Sequence, residues 1–296
     1  MKTLVVLTGV FLTCGSAVRA SETYTRETEA WRQVRVAELT APDGWLTLVG
    51  LHFLREGENR IGSAPDSDVV LPSGPALLGT ATLGAANKVS LNLAPDVDAR
   101  IDGAAVRQAE LKSDADSGKP TLVTSGTIRF FIIDRGGKKA VRVKDSDAAP
   151  RRHFAGLDYF PIDPRWRIEA RWEPFEKLRL MPFANKLGRT APELVAGKAV
   201  FEREGKTFGL LAIDEGPDKP LFFVFSDPTN GQETYGSSRF VYAERPQHGK
   251  IVLDFNHAEN PPCAFTPFAI CPLPPAENRL PFAVGAGEKN YRGAHD

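Results

Sequence analysis

The stretch AVFEREGKTFGLLAI, residues 199–213, indicates how this chain folds. Two apolar runs flank Glu204-Gly205-Lys206, and a glycine there supplies the positive φ that a tight turn between antiparallel strands needs. The same pattern recurs upstream, where RGGK separates TIRFFIID from KAVRVKD and KVSLNL alternates apolar with polar residues. Many short strands at regular spacing predict a mostly β protein with sandwich or barrel architecture, not βαβ units.

One helix is predicted near the N-terminus, within residues 25–40. Trp31, Val34 and Leu39 recur there near helical spacing, with charged residues between them. Pro42-Asp43-Gly44 is expected to end this helix, because proline and glycine both interrupt helical structure.

Residues 146–165 hold prolines and few periodic apolar residues, which is typical of a domain boundary. We therefore predict an N-terminal domain over residues 21–150, made of the helix and a β-sandwich. A second β-rich domain, a barrel or sandwich, is predicted over residues 151–296.

Residues 1–20 are predicted to be a signal peptide. Lys2 precedes an apolar stretch, and Val18-Arg19-Ala20 fits the small-x-Ala pattern of signal-peptidase sites. Cys14 is not expected to carry a lipid, because Thr13 stands where a small residue normally precedes a lipidated cysteine. The mature protein is expected in the periplasm or outside the cell. No later segment has the roughly 18 uninterrupted apolar residues of a membrane helix.

Charge and motifs exclude several function classes. The chain has 296 residues, with 37 Lys and Arg against 37 Asp and Glu, so no basic field would recruit nucleic acid. It contains no GxSxG elbow, HExxH helix, P-loop or Rossmann fingerprint. No cofactor and no metal is predicted, and the sequence identifies no protein partner.

Cys263 and Cys271 would be the two cysteines of the mature chain. In an oxidising compartment such a pair forms a disulfide readily. Free thiols or a metal site with His257 are alternatives, although the CxxC spacing typical of structural zinc sites is absent. Residues 254–280 around the pair are rich in proline, so we expect a rigid irregular loop that closes the second domain.

The segment GENRIGSAPDSDVVLP, residues 57–72, resembles the opening of a forkhead-associated (FHA) domain. The resemblance implies an FHA-like β-sandwich. In that family a basic residue follows the IG dipeptide, and a later Ser and His complete a phosphothreonine site. Ser63 occupies the basic position here and no Ser-x-x-His follows, so phosphopeptide binding is not expected.

Residues 233–256, ETYGSSRFVYAERPQHGKIVLDFN, are predicted to form a hairpin around RPQHG. Matching the apolar faces sets Phe240 opposite Leu253 and Arg239 opposite Asp254. The resulting polar row is either a solvated sheet face or the wall of a ligand pocket. This row and the adjacent loop provide the candidate ligand-binding residues, which are Asp227, Glu233, Tyr235, Arg239, Asp254, Asn256, Asn260, Asn278 and Glu288.

Two long stretches, DPTNGQETYGSSRF from residue 227 and LDFNHAENPPCAFTPFAICPLPPAENRLPFAVGAGEK from residue 253, resemble the signature of domain of unknown function family 1684. The similarity is expected to extend from residue 44 to residue 288. It implies a bacterial protein whose signature lies in its C-terminal half, and the family has no established activity. The matching signature positions are Asp227, Thr229, Glu233, Thr234, Tyr235, Gly236, Arg239, Asp254, Asn256, Asn260, Cys263, Cys271, Asn278 and Glu288.

Two function classes follow from these residues. The first is a module that binds a small polar or anionic ligand at the C-terminal polar row. The second is a hydrolase acting on a small molecule or a glycan. It would use Asp254, Glu233 or Glu288 as general acid or base, with Arg239 holding an anionic group.

Cleavage after Ala20 would leave Ser21 as the first residue of the mature protein. Intact-mass spectrometry of protein recovered from the periplasm should give the mass of residues 21–296. A mature protein that retains Met1 would contradict the predicted export signal.

Overall fold

The computed structural model describes the backbone of residues 14–293 and the side chains of residues 21–293. Most of the predicted signal peptide therefore lies outside the described residues, including the side chain of Cys14. Helix α1 (Cys14–Thr40) contains the predicted helix and continues without a break across Ala20. It ends two residues before Pro42, as expected. Within residues 14–293, no helix combines the length and apolar character that crossing a membrane requires.

The chain is mostly β, as predicted, and its first half forms two five-stranded sheets around a shared apolar core. The strands are β1 (Leu48–Phe53), β2 (Gly57–Gly62), β3 (Val69–Val70), β4 (Gly79–Leu83), β5 (Val89–Leu93), β6 (Arg100–Ile101), β7 (Gln108–Leu111), β8 (Val123–Ser125), β9 (Ile128–Arg135) and β10 (Lys138–Asp145). One sheet has the order β1-β10-β9-β8-β6 and the other β3-β2-β4-β5-β7. The likeness of this half to FHA domains stays a prediction.

A six-stranded antiparallel sheet forms the second half. Its strands are β11 (Arg167–Ala184), β12 (Thr190–Arg203), β13 (Lys206–Ile213), β14 (Leu221–Phe225), β15 (Arg239–Ala243) and β16 (Lys250–Asp254). Their order is β15-β14-β13-β12-β11-β16. The sheet curls into a half-barrel, so its edge strands β15 and β16 approach each other around an aromatic core.

Positive-φ turns join the hairpins that the glycines predicted. Gly136 and Gly137 have φ angles of 64° and 78° between β9 and β10. Glu204 and Gly205 have φ angles of 52° and 73° between β12 and β13. Between the two halves, residues 146–166 hold the short helix α2 (Ala149–Arg152) and a 3-10 turn (Pro164–Trp166). The predicted boundary at residue 150 falls in this connection, and the division into two domains stays a prediction.

The predicted hairpin between residues 233 and 256 is wrong. Strand β15 pairs with β14, placing Arg239 opposite Phe225, and β16 pairs with β11, placing Asp254 opposite Arg167. Matching the apolar faces of two neighbouring segments could not detect this arrangement. Both faces of β15 are largely buried, so its alternation carries no information about its partner.

The proline-rich segment is held as a series of short turns. It contains 3-10 turns at Phe255–His257, Pro262–Ala264 and Ala276–Asn278. Cys263 and Cys271 are joined as a disulfide with their Cα atoms 6.3 Å apart, as predicted. His257 stacks on Trp31 of α1 instead of joining the cysteines, with ring centroids 4.5 Å apart.

Candidate functional site

Arg239 lies at the start of β15 and is completely buried. Its guanidinium pairs with Asp227 at 3.3 Å, and it donates to the main-chain oxygens of Val284 and Ala286. Asp227 also accepts hydrogen bonds from the backbone N–H groups of Thr229 and Val284. The predicted pairing of Arg239 with Asp254 is therefore wrong. With no exposed surface, this pair joins β15 to the segment that follows the proline-rich loop.

Asp254 belongs to a different cluster, built around the beginning of α1. The hydroxyl of Tyr24 donates to both carboxylate oxygens of Asp254, at 2.8 and 2.9 Å. Burial, followed by the hydrogen bond to Asp254, raises the pKa of the Tyr24 phenol. The Asn256 side chain donates to the Tyr24 hydroxyl and to the main-chain oxygen of Asp163. These contacts attach α1 to the end of β16.

Asn278 fills a gap in the sheet. Strands β13 and β14 pair in register only at Ile213 and Phe222. The Asn278 amide bonds to both the N–H and the oxygen of Leu211 and to the oxygen of Val224. These bonds satisfy buried main-chain groups that the incomplete ladder leaves open, so Asn278 is a structural residue.

The strongest concentration of buried charge lies where the middle of α1 meets the loop after β16. Arg35 donates from Nε to Glu288 at 2.9 Å and lies 3.4 Å from Glu259. The second carboxylate oxygen of Glu288 accepts the backbone N–H of Asn260 at 2.6 Å. Arg35 also donates to the main-chain oxygen of Asn260. One buried cation therefore serves two carboxylates, which we call the Arg35 cluster.

Glu259 is the member of the Arg35 cluster best placed to exchange a proton. Burial raises the pKa of its carboxyl to about 7, with Arg35 opposing the shift and Glu288 adding to it. Both carboxylates cannot easily be charged beside a single arginine, so Glu259 is the one that holds a proton near neutral pH. Such a group can act as hydrogen-bond donor or as general acid.

Two further polar atoms of this region have unused hydrogen-bonding capacity. Asn260 Oδ1 and the Tyr159 hydroxyl are buried without a partner among residues 21–293. Tyr159 bridges to Glu288 through the backbone, which places it beside the Arg35 cluster. The cluster therefore offers one free acceptor and one free donor in addition to Glu259.

A cavity of about 350 Å³ opens beside Arg35, between the end of α1 and the turn that follows it. Its lining residues are Arg35, Glu38, Leu39, Ala41, Asp43, Gly44 and Trp45. A Cβ atom on Gly44 would lie 2.3 Å from the main-chain oxygen of Glu38 and 2.4 Å from that of Leu39, so only glycine fits. This close approach sets the position of Trp45 against α1.

Tyr235 connects the cavity to the disulfide loop. Like Trp45, it packs against the apolar cluster that contains Leu39. Its hydroxyl donates to the Cys263 oxygen at 3.1 Å and accepts from Lys186. Glu233 has an exposed side chain that lies 3.7 Å from the Lys289 ammonium group, and its main-chain oxygen accepts the N–H of Asn290.

The structure thus divides the nine candidate residues among several places. Asn260 and Glu288 belong to the Arg35 cluster, Tyr235 packs against the apolar cluster that shares Leu39 with the cavity wall, and Glu233 pairs with Lys289 at the surface. Asp227 and Arg239 form one separate cluster, Asp254 and Asn256 another, and Asn278 stands alone in the sheet. Whether any of the nine binds a ligand stays a prediction. Within residues 14–293, no group of three or more His, Cys, Asp or Glu is arranged to hold a metal ion.

Sequence reasoning missed Arg35, Glu38, Trp45 and Glu259. One signal was present for Arg35, which lies four residues from both Trp31 and Leu39 and so interrupts the apolar face of α1. A charge on the packed face of a helix requires a buried partner. Glu259 precedes Asn260 within the stretch that resembles the family signature, but it was not among the matching signature positions.

Comparisons with known proteins give a family without an assigned activity. Residues 152–289 match the family described as Protein of unknown function (DUF1684). The predicted extent was too long, since the match begins at residue 152 and not at residue 44. Among the curated proteins, none matches this chain.

Two solved structures are similar to parts of the chain. An uncharacterized protein of Haloarcula marismortui, solved in solution by NMR, is 36% identical, and the alignment covers 47% of this chain and 78% of that one with a TM-score of 0.40. Rad53 1–466 in complex with AMP-PNP is 10% identical over 76% of this chain and 51% of that one, with a TM-score of 0.19. Neither superposition bears on the fold or the ligand of this protein.

Arg239→Met should destabilise the protein strongly, because it leaves Asp227 buried without its counter-ion. We expect a loss of roughly 3–5 kcal/mol in the free energy of unfolding, measured with urea. The control is Arg165→Met, which breaks an ion pair with Asp163 whose arginine side chain is 87% exposed. That loss should be far smaller, because solvent screens an exposed ion pair. Equal losses for the two variants would contradict the buried pair.

Glu259→Gln should change the pH dependence of stability. Because the pKa of Glu259 is raised in the folded protein, the folded state binds more protons than the unfolded state between the ordinary glutamate pKa and about 7. Stability is therefore lost as the pH rises through this window. A glutamine cannot ionise, so the variant should exceed the parent at pH 8 by on the order of 2–3 kcal/mol, with no difference near pH 4.

The control for this measurement is Glu202→Gln, an exposed glutamate on β12. Its difference from the parent should stay small across the same pH range. A Glu259→Gln curve parallel to that of the parent between pH 4 and pH 8 would show that Glu259 titrates normally in the folded protein.

Proposed function

We propose that this chain, whose residues 152–289 match the DUF1684 family, binds a small polar molecule bearing hydroxyl or amino groups in the cavity beside the Arg35 cluster. The observation that carries the proposal is the cavity of about 350 Å³ whose wall includes both Arg35 and Glu38. Its size is within the range of small-molecule pockets. The Trp45 indole adds an apolar face of the kind that packs against a ligand ring.

Charge favours a neutral or cationic ligand. The cavity wall carries Arg35, Glu38 and Asp43, and Arg35 is already paired with Glu288 behind it. An incoming anion would meet the Glu38 carboxylate, which forms no ion pair among residues 21–293. The anionic ligand expected at Arg239 has no support, because that guanidinium is buried against Asp227. A ligand hydroxyl or ammonium group could instead donate to Glu38.

Export remains part of the proposal. The disulfide between Cys263 and Cys271 supports an oxidising compartment such as the periplasm. The loop that it closes also accepts a hydrogen bond from Tyr235, which packs beside the cavity. A disulfide at this position would stabilise the wall of the binding site.

A second candidate function is hydrolysis, and Glu259 is the observation that favours it. A carboxyl whose pKa is about 7 can donate a proton to a leaving group and recover it from water. The readout is release of p-nitrophenol from p-nitrophenyl esters and glycosides. Release that is equally fast in the parent and in Glu259→Gln would contradict this role.

Binding can be tested with three sugars that share a ring and differ in charge. Glucosamine, glucose and glucuronate are titrated separately into the full protein and followed by saturation-transfer NMR. We expect glucosamine to bind best, glucose less tightly and glucuronate least, because the cavity wall is acidic. Glu38→Gln should weaken glucosamine binding at least about tenfold, a loss of about 1.4 kcal/mol.

The matched control is Glu27→Gln, an exposed glutamate on α1 outside the cavity lining. It should bind all three sugars as the parent does. Preferred binding of glucuronate, or an unchanged glucosamine affinity in Glu38→Gln, would contradict the proposed site.

A further inference from the structure

Arg142 on β10 is buried without a counter-ion. Only 8% of its surface is exposed, and its Nε is buried with no hydrogen-bond partner. Among residues 21–293, its guanidinium has neither a hydrogen bond nor an ion pair. By contrast, the buried Arg35 and Arg239 each contact a carboxylate. Charged groups are almost never buried unless they are paired, so Arg142 requires an explanation.

Two more cations share the face of the sheet that carries Arg142. Lys144 is two residues further along β10, and Arg129 of β9 lies directly opposite Lys144. Lys144 donates to the main-chain oxygen of Asp43, while Arg129 has no hydrogen bond or ion pair among the described residues. Like charges opposite each other across two strands destabilise a sheet. These three residues form what we call the Arg142 cluster.

Nearby acidic groups only partly offset the charge of the Arg142 cluster. Burial lowers the pKa of Lys144, and the charge of Asp43 opposes that shift. Asp114, an acid whose charge acts on Arg142, forms an ion pair with Arg135 at 2.8 Å. Burial, followed by the charge of Arg135, lowers the pKa of Arg142 to about 10. The Trp45 ring centroid lies 5.6 Å from both Arg142 and Lys144, so an aromatic face borders the cluster.

We propose that Arg142, Lys144 and Arg129 form a binding site for a phosphate group. The planar guanidinium of Arg142 can donate two parallel hydrogen bonds to two phosphate oxygens. Three positive charges suit a doubly negative phosphate better than a singly charged carboxylate. Lys144 and Arg129 are only half-buried, so the cluster is reached from solvent on their side. This site adjoins the proposed polar-ligand cavity, since Asp43 and Trp45 line the cavity and also lie beside Lys144, but its charge is basic where the cavity wall is acidic.

The test compares the melting temperature of the full protein in inorganic phosphate and in sodium chloride of equal ionic strength. Phosphate should raise the melting temperature of the parent by about 2 °C or more at tens of millimolar. Acetate should have a clearly smaller effect. No rise with phosphate beyond that of sodium chloride, or an equal rise with acetate, would overturn the proposal.

Arg142→Met gives the sharper test, because methionine fills a similar volume without a charge. In phosphate-free buffer it should raise the melting temperature by about 2–4 °C, since an unpaired buried cation is removed. The same variant should bind phosphate at least about tenfold more weakly than the parent. An unchanged phosphate response would overturn the proposal.

Two further variants complete the test. Lys144→Met tests the site if Arg142→Met misfolds, and Arg100→Met controls for the loss of a positive charge elsewhere. Lys144→Met alters a half-buried residue and should weaken the phosphate response several-fold. Arg100→Met removes an exposed arginine from β6, at the other edge of the same sheet, and should leave the response intact. If Arg100→Met lost the response as fully as Lys144→Met, phosphate would be acting on overall charge and the assigned site would be wrong.

Discussion

The ion pair between Arg35 and Glu288 is the interaction on which the arrangement of this protein depends. It joins α1 to a segment almost at the end of the chain, at a distance of 2.9 Å. Without it, Glu288 and Glu259 would be two buried carboxylates with no adjacent cation, an arrangement that costs several kcal/mol for each uncompensated charge. The cavity beside Trp45 opens next to this pair, because Arg35 belongs both to the pair and to the cavity wall.

A second buried arginine, Arg239 of β15, forms hydrogen bonds with the chain segment just before Glu288. Arg239 binds the main-chain oxygens of Val284 and Ala286, four and two residues before Glu288. Residues 284–288 belong to no strand, so their polar backbone groups need partners from elsewhere. Arg239 and Asp227 supply side-chain partners for Val284 and Ala286, and main-chain groups of Phe160 and Ala258 pair with Gly287 and Glu288. This explains why a segment without regular structure can be largely buried.

Local patterns were sufficient to predict the elements but not their assembly. Glycines with positive φ marked the hairpins, the spacing of Trp31 and Leu39 marked α1, and the two cysteines marked the disulfide. The hairpin between β15 and β16 was predicted wrongly because the pairing of these two edge strands depends on all six strands of the sheet. The sequences of two adjacent segments do not contain that information. The site was divided for the same reason, since Arg35 and Glu288 are brought together only by the complete fold.

Positions of buried charge also separate two kinds of arginine in this chain. Arg35 and Arg239 satisfy carboxylates and backbone oxygens, so their role is explained by the folded protein alone. Arg142 forms no hydrogen bond or ion pair among the described residues, so its burial carries a desolvation cost that the fold does not offset. Natural sequences keep such conflicts mainly where a function compensates for them.

The docking of α1 has a consequence for how this protein can be divided. The segment that matches the family, residues 152–289, contains Glu259, Glu288 and Asp254 but neither Arg35 nor Tyr24. The cation that pairs with Glu288 and the hydroxyl that donates to Asp254 therefore both come from α1, outside the matching segment. A fragment that keeps the half-barrel but lacks α1 would leave Glu288 and Asp254 without these partners, although the ten strands of the first half separate α1 from the half-barrel in sequence.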